Sequence, residues 1–502
     1  MNHVLILPVL LPMFMGALLL VAHRLGKPAK RVLSLAATFA LLPIAAYLAL
    51  LAGDGELRVY ALGNWQPPFG IILVLDRLSA VLLLVTSVLA GFSALYATRG
   101  DDERGPNFHA LLQFQLLGIN GSFLTGDLFN LFVFFEILLI SSYALLVHGN
   151  GAARIKAGLH YVVLNLLGSS FFLIGVGLLY GLTGTLNMAD LAQRVAAADP
   201  EQAPLLAAAA YLLLIVFGLK AAILPLYFWL PRAYAAASAP VAALFAVMTK
   251  VGLYAILRVF TLVFGAEAGA LANLAHGLLW WMAALTIIAG VIGALAAQQL
   301  QPLLGYLVVV SVGTLLAGIA LGSADGLAAA LYYLVHSTLI TGALFLLADL
   351  VVRQRGEVGG DLTQARAVSQ PLLLGTLFFA AAISVAGLPP FSGFIGKLLL
   401  LTAVPSGPQA LVLWPILLIG GLGMLIALSR AGSTLFWRGD TPPAEASGIR
   451  CDGGRLLAAG GLLLASVALV VAAQPVLAYL QATAEQLLTL QPYLSIVRGG
   501  GE

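Results

Sequence analysis

The stretch that decides the fold runs from Leu212 to Phe260: LLLIVFGLKAAILPLYFWLPRAYAAASAPVAALFAVMTKVGLYAILRVF. It reads as two apolar helices joined by a proline-rich break. Each carries one lysine deep in greasy sequence, Lys220 and Lys250. A lysine at a bilayer centre costs about 2.5–3.5 kcal/mol on insertion scales. Prolines at Leu224-Pro225 and Leu230-Pro231 remove backbone donors and free carbonyls. Inside a membrane such a break is tolerated only where protein or a water-filled cavity satisfies the backbone. The stretch therefore predicts a polar, hydrated pocket within a helical bundle, and two buried cations beside it point to movement of charge.

Composition agrees outward from there. Of 502 residues, 61% are hydrophobic and 9% charged, and the mean hydropathy is +1.03. Soluble domains carry about 25% charge, so the reading is an all-α polytopic membrane protein. The formal charge of +3 says nothing in favour of nucleic acid. The single cysteine, Cys451, excludes an internal disulfide or thiolate cluster. Val4 to Val21 is too long for a signal-peptide core and reads as a first span. The chain has no dinucleotide fingerprint, phosphate loop or zinc spacing, so no cofactor is expected.

At about 20 apolar residues per span, fourteen are counted: 4–22, 32–52, 78–98, 108–124, 128–147, 157–182, 204–229, 240–263, 271–295, 303–321, 326–350, 371–404, 411–430 and 456–480. Sixteen of the 24 Lys and Arg residues, from Arg24 to Arg455 and including Arg438, follow odd-numbered spans. Arg58, Arg77, Arg194, Arg258 and Arg498 lie on the other side, and Lys220, Lys250 and Lys397 lie within the membrane. The positive-inside rule then puts both termini outside.

The seventh span reads GLKAAILP, with Lys220 before its break. The twelfth reads GLPPFSGFIGK, with Lys397 after Pro389-Pro390. Two broken helices five spans apart are a pointer to a two-fold repeat of opposite topology. Two further groups stand out in apolar spans. Glu136 sits mid-span in FNLFVFFEILLISSYALL and is expected to pair with a membrane lysine, Lys220 first among them. Opposite charge would favour the ionised form of each, and burial the neutral form. His336, in LYYLVHSTLITGALF, is a candidate relay, with Ser337, Thr338 and Thr341 around it. Glu136, Lys220, Lys250, His336 and Lys397 suit a lateral chain of titratable groups, bridged by ordered water where gaps exceed hydrogen-bond reach. Each has a structural alternative: a lysine that snorkels, a satisfied core histidine, a protonated carboxyl. Asp76-Arg77 reads as an interfacial ion pair, and His160 and Asn165 as ties between helices. His3, His23, His109, His148 and His276 fall at ends or loops.

The run from Lys220 to Phe260, FEILLISSYALL around Glu136 and GLPPFSGFIGKLLLL around Lys397 together resemble the antiporter-like membrane subunits of respiratory complex I, membrane-bound hydrogenases and Mrp/Pha cation/proton antiporters. The likeness covers roughly residues 70–430. The length, SGFIGK and AAASAPVAALFAVMTK are most similar to D-type subunits of the Mrp/Pha group. Tyr227 and Phe228 stand where some relatives carry histidine.

The resemblance implies helices 1–3 over residues 1–107, inverted five-helix repeats over 108–263 and 271–435, and a last helix and tail over 456–502. It implies Glu136 and Lys220 as a coupled pair, Lys250 as a connecting lysine and Lys397 as a terminal one. It implies proton flow coupled to Na⁺ or K⁺ export, with other small and large membrane subunits as partners and a bacterial inner membrane as the location. The rival readings are a proton-translocating subunit of a redox-driven complex and a structural scaffold. Gene neighbourhood separates the first two, and tolerance of neutral replacements at Glu136 and Lys220 marks the third.

Overall fold

The computed structural model describes residues 3–22, 24–364, 366, 368–437 and 450–495. His23, Arg438 and Arg498 lie outside the described residues. The chain is a multi-pass helical membrane protein. Among the described residues, twelve helices are long and apolar enough to cross a bilayer.

Helix α1 (Leu7–Val21) and α2 (Lys27–Ala52) form an N-terminal pair. A short antiparallel hairpin follows, β1 (Arg58–Ala61) with β2 (Ile72–Leu75), in register Arg58 to Leu75. It is not expected from the sequence, where residues 53–77 read as a loop. β2 is buried along its whole length, and Leu73 bridges onward to Thr125. Helix α3 (Arg77–Ala97) starts at a capping box: the Asp76 carboxylate accepts from Ser79 N–H at 2.8 Å, and Ser79 Oγ accepts from Asp76 N–H at 3.0 Å.

Helix α4 (Phe108–Leu124) is shorter and more polar than the twelve. Its amides work inside the bundle, with Gln113 donating to Thr38 Oγ1 at 2.8 Å and Asn120 to Pro8 O at 2.9 Å. Helices α5 (Leu128–Val147) and α6 (Ala152–Thr183) follow, then the short amphipathic α7 (Met188–Ala196). α6 turns Leu159, Val163, Leu166 and Ile174 outward, as a lipid-facing helix should.

The seventh span is α8 (Ala203–Ala221) and α9 (Trp229–Ala236), so it extends beyond the expected residue 229. The eighth is also divided, into α10 (Ala239–Phe245) and α11 (Met248–Leu262). No proline marks that join. Ala246 and Val247 donate to Ala243 and Leu244, a tightened turn just ahead of Lys250. Helices α12 (His276–Ala296), α13 (Leu300–Ala320) and α14 (Ala324–Arg355) come next. α10, α11, α13 and α14 are almost wholly buried and form the core around which the others stand.

The twelfth span is split into α15 (Pro371–Ala386) and α16 (Ser392–Ala403), followed by α17 (Pro408–Phe436). The expected last span, 456–480, breaks at Ala472 into α18 (Gly453–Val471) and α19 (Ala473–Leu488), with α20 (Gln491–Leu494) after it. α19 continues along the bundle and packs on α14, α3 and α11.

Candidate functional site

The break after α8 begins at Ala222, which takes a left-handed conformation (φ 61°). Ile223 N–H returns to Gly218 O at 2.9 Å, closing the helix end. Leu224 N–H finds Thr286 Oγ1 of α12 at 3.0 Å, and Trp229 Nε1 donates to Leu219 O at 3.0 Å. The backbone groups freed by Pro225 are thus met by side chains from elsewhere in the bundle. Lys220, one residue before the end of α8, is 7% exposed and its Nζ has no hydrogen-bond partner in the protein. It lies 5.5 Å from the centre of the Phe135 ring.

Glu136 does not close an ion pair with Lys220, contrary to the sequence expectation. Its carboxylate accepts from the Ser169 hydroxyl on α6, and it is only half-buried. It remains within electrostatic reach of Lys220. The pair is therefore apart in this structure, with Phe135 lying against the amine.

Lys250 is wholly buried and its Nζ also lacks a protein partner, as does Thr249 Oγ1 beside it. One turn on, the Tyr254 hydroxyl donates to Phe123 O at 3.0 Å and accepts from Arg258 Nε at 3.3 Å. Gly252 brings α11 hard against the break, since a Cβ there would stand 2.9 Å from the Lys220 carbonyl carbon. The two lysine-bearing backbones thus touch.

His336 on α14 is 1% exposed. Its Nδ1 lies 2.8 Å from Ser392 Oγ, at the start of α16, and Ser392 Oγ lies 2.9 Å from Ser466 Oγ on α18. Both Lys250 and Lys397 act on the imidazole electrostatically. Ser337 and Thr338 bond back to Leu334 O, while Thr341 lines a small cavity with His336.

Lys397 on α16 is held by the second break. Its Nζ donates to Ala386 O at 2.7 Å and Val385 O at 3.3 Å, the last carbonyls of α15. It borders a cavity of about 260 Å³ between α16 and α17. Buried amines and hydroxyls without protein partners, Lys220 Nζ, Lys250 Nζ, Thr249 Oγ1 and Ser384 Oγ among them, need ordered water for their remaining bonds.

A family model described as NADH:quinone oxidoreductase/Mrp antiporter, TM, matches residues 125–423, which hold all five candidate residues. The chain belongs to that family. A probable K⁺/H⁺ antiporter protein of Rhizobium meliloti (strain 1021), a D-type subunit, is 44% identical, covering 97% of this chain and 96% of that protein. The Na⁺/H⁺ antiporter counterpart of Bacillus subtilis (strain 168), likewise of the D type, is 38% identical over 99% of each. Among solved structures, a chain of the Mrp complex from Dietzia sp. DQ12-45-1b superposes with a TM-score of 0.87 at 30% identity, over 99% of this chain and all of that one.

Within this member of the Mrp-type antiporter family, two sequence readings need correction. Asp76 does not pair with Arg77. It forms a buried ion pair with Arg258 at 2.6 Å, which Tyr254 and Tyr493 cover with their rings. Arg77 instead donates to the Gly53 and Ala482 carbonyls. His160 does not tie helices together, since it is exposed and bonds its own helix at Lys156 O. Asn165 likewise donates to Tyr161 O of its own helix. Sequence reasoning missed Ser169, Thr286, Ser392 and Ser466. Each is a hydroxyl in an apolar run (Ser169 with Ser170 beside it), a signal visible in the sequence but shared by many serines and threonines that only bond their own helix.

Proposed function

We propose that this chain is the proton-conducting, D-type member of a multisubunit Na⁺ or K⁺/H⁺ antiporter. It moves protons along Glu136, Lys220, Lys250, His336 and Lys397 and couples that movement to cation export. One observation carries the reading: three lysines stand buried within the membrane and, among the described residues, none is neutralised by a carboxylate contact. Structural cations in this chain look different. Arg258 is paired with Asp76, and the Arg355 terminal nitrogens donate to three backbone carbonyls, those of Gly359, Asp361 and Gln364. Amines left with water as partner are suited to gain and lose protons, which guanidinium groups are not.

The mechanism follows from the gap between Glu136 and Lys220. When they close, the carboxylate holds the Lys220 proton. When Glu136 swings to Ser169, the ammonium loses its counter-charge and passes its proton through water toward Lys250, and on by His336 to Lys397. Cation movement biases which arrangement prevails.

The fourteen-span organisation with inverted repeats over 108–263 and 271–435 supplies the frame. Two shorter elements join the twelve long spans in it, α4 and the α15–α16 pair. Further small and large membrane subunits complete the complex, as the multisubunit neighbour suggests. The chain is placed in a bacterial inner membrane, and the Lys/Arg bias supports both termini on the outer side. The second reading, a proton-translocating subunit of a redox complex, rests on a family description that embraces NADH:quinone oxidoreductases.

The test is proton flux in inverted vesicles carrying the whole operon. Dissipation of a pH gradient by Na⁺ or K⁺, lost with Lys220→Ala in an assembled complex, supports antiport. A gradient built by an electron donor and indifferent to both cations supports the redox reading.

A further inference from the structure

Ser392, the first residue of α16, and Ser466 of α18 use their hydroxyls unlike other helical hydroxyls of this chain. Ser87, Ser122 and Thr338 return theirs to a carbonyl of their own helix. Ser392 and Ser466 bond outward. Ser392 Oγ meets His336 Nδ1 at 2.8 Å and Ser466 Oγ at 2.9 Å. Among the described residues, Ser392 is the one hydrogen-bond partner of the Ser466 hydroxyl. All three side chains are sealed off, His336 at 1%, Ser392 at 0% and Ser466 at 3% exposure. The Tyr333 ring lies beside the imidazole, with centroids 5.5 Å apart.

This chain of three can be hydrogen-bonded in two directions, and counting hydrogens separates them. If Nδ1 carries the hydrogen, it donates to Ser392 and Ser392 donates to Ser466. The Ser466 hydrogen is then buried with no acceptor, which is costly. If Ser466 donates to Ser392 and Ser392 to Nδ1, both hydroxyl hydrogens are used and Nδ1 is satisfied. The second direction therefore holds for the neutral ring and places its hydrogen on Nε2. A charged ring would find no carboxylate here, since its one hydrogen bond is to a hydroxyl and Lys250 and Lys397 both act on it.

Nε2 in turn faces the second break. A Cβ on Gly393 would collide with Ser384 O and stand 2.9 Å from His336 Nε2. The glycine thus lets that edge of the ring approach the end of α15, where Lys397 docks on the Val385 and Ala386 carbonyls. The two edges of the ring are unlike. Nδ1 is stopped by a serine hydroxyl, and Nε2–H points to the helix end that seats the terminal lysine.

We propose that Ser392 is a positioning residue for His336, supported by Ser466 of α18. Together they hold the ring neutral, with Nε2–H toward the Lys397 end, and keep Nδ1 closed to protons until the Ser392 hydroxyl turns. The inference rests on the relay reading and adds a gate to it. When the hydroxyl turns away, Nδ1 takes one proton passed on from Lys250 through water. The ring then releases its Nε2 proton toward Lys397, so one proton enters, one leaves and the ring ends neutral. Ser466 lies outside residues 125–423, the part that the family model matches, so the last span joins the relay.

The experiment is cation-dependent proton flux in inverted vesicles carrying the whole operon, with assembly read on a native gel. Ser392→Ala should lower flux about tenfold and Ser466→Ala about threefold, the scale of one lost hydrogen bond. Ser392→Thr, which keeps the hydroxyl, should stay within about twofold of wild type. In a His336→Gln background neither serine change should lower flux further, because both act through the ring. Wild-type flux in Ser392→Ala overturns the proposal. So does an equal loss from Ser392→Ala in both backgrounds, the result a packing role gives. If His336→Gln abolishes flux, equal losses from Ser392→Thr and Ser392→Ala in assembled complexes overturn it. If Ser392→Ala fails to assemble, Ser466→Ala in the two backgrounds decides. Lys220→Ala, run alongside, keeps the two readings apart. Normal flux there sinks the relay itself, whereas lost flux there with normal flux in Ser392→Ala sinks only the gate.

Discussion

At Ala222 and at Gly387 the chain leaves a helix by the same route. Both residues are left-handed, at φ 61° and 84°. In both, the next amide returns five residues, Ile223 to Gly218 O and Leu388 to Ile383 O. The breaks are closely alike as backbone, yet they treat their lysines differently. Lys397 docks on the carbonyls freed at the end of α15, while Lys220 touches none of those freed at α8. The reason is direction. Helical side chains lean toward the N-terminus of their helix. Lys397 lies after its break and leans back onto it. Lys220 lies before its break and leans away, toward Phe135 and the Glu136 side of the bundle. A lysine's position relative to the break thus decides whether backbone carbonyls hold it.

The proposed relay makes Lys220 its switching amine, so the loss of Lys220 should have the largest effect. Lys220→Ala should cut cation-dependent proton flux by roughly 100-fold or more, the scale of losing an acid–base group. Lys220→Arg should fail equally, because arginine keeps its proton. Normal flux in vesicles whose complex assembles on a native gel would break the comparison at once.

The docked lysine at the second break comes next. At Gly387 an added Cβ would lie 2.6 Å from Lys397 Cδ, so the glycine makes room for the docked lysine. Gly387→Ala should therefore displace Lys397 and lower flux about tenfold, on top of a left-handed backbone cost of about 1–2 kcal/mol. Ala222→Gly, which relieves that cost at the other break, should leave flux near wild type and raise thermal stability of the complex. Equal effects from the two substitutions, read by flux and by melting of the purified complex, would show that the breaks are interchangeable.

A finer test is Ser169→Ala. It removes the hydroxyl that holds Glu136 away from Lys220. A hydrogen bond to a charged group is worth about 1.5–3 kcal/mol, so pairing should tighten and flux at neutral pH should fall about tenfold or less. Glu136→Gln, by contrast, should abolish coupling. Faster flux in Ser169→Ala would mean that the open arrangement is not the one the serine stabilises.

The smallest effect is expected at Thr286→Val. It orphans Leu224 N–H at the first break only, at about 1–3 kcal/mol. A melting temperature lowered by several degrees with nearly normal flux would fit a supporting role. Complete loss of flux would make α12 part of the switch.

The candidate axis was visible in the sequence because a charge in an apolar run is conspicuous wherever it falls. Lys220, Lys250, Lys397, Glu136 and His336 all stood out on that ground alone. The prolines at Pro225 and Pro389-Pro390 marked the breaks for an equally local reason. The join between α10 and α11 was not legible. It is a tightening of alanine and valine backbone, with no residue that demands it. The hairpin of β1 and β2 was missed for a related reason, since two short strands between two spans leave little pattern.

Partnership was the other illegible layer. Asp76 chose Arg258, not its neighbour Arg77, because Arg258 comes in from α11 with two aromatic faces over it. Glu136 chose Ser169, and His336 reached Ser466 through Ser392. The sequence by itself determined that this chain lives in a membrane, where its two proline-marked spans break, and which residues carry charge where charge is expensive. Those costs arise residue by residue against lipid. Only the tertiary structure decided which charges are neutralised and which are left to water. Hydrogen bonds and ion pairs act over a few ångströms between helices far apart in the chain, and packing alone sets those distances.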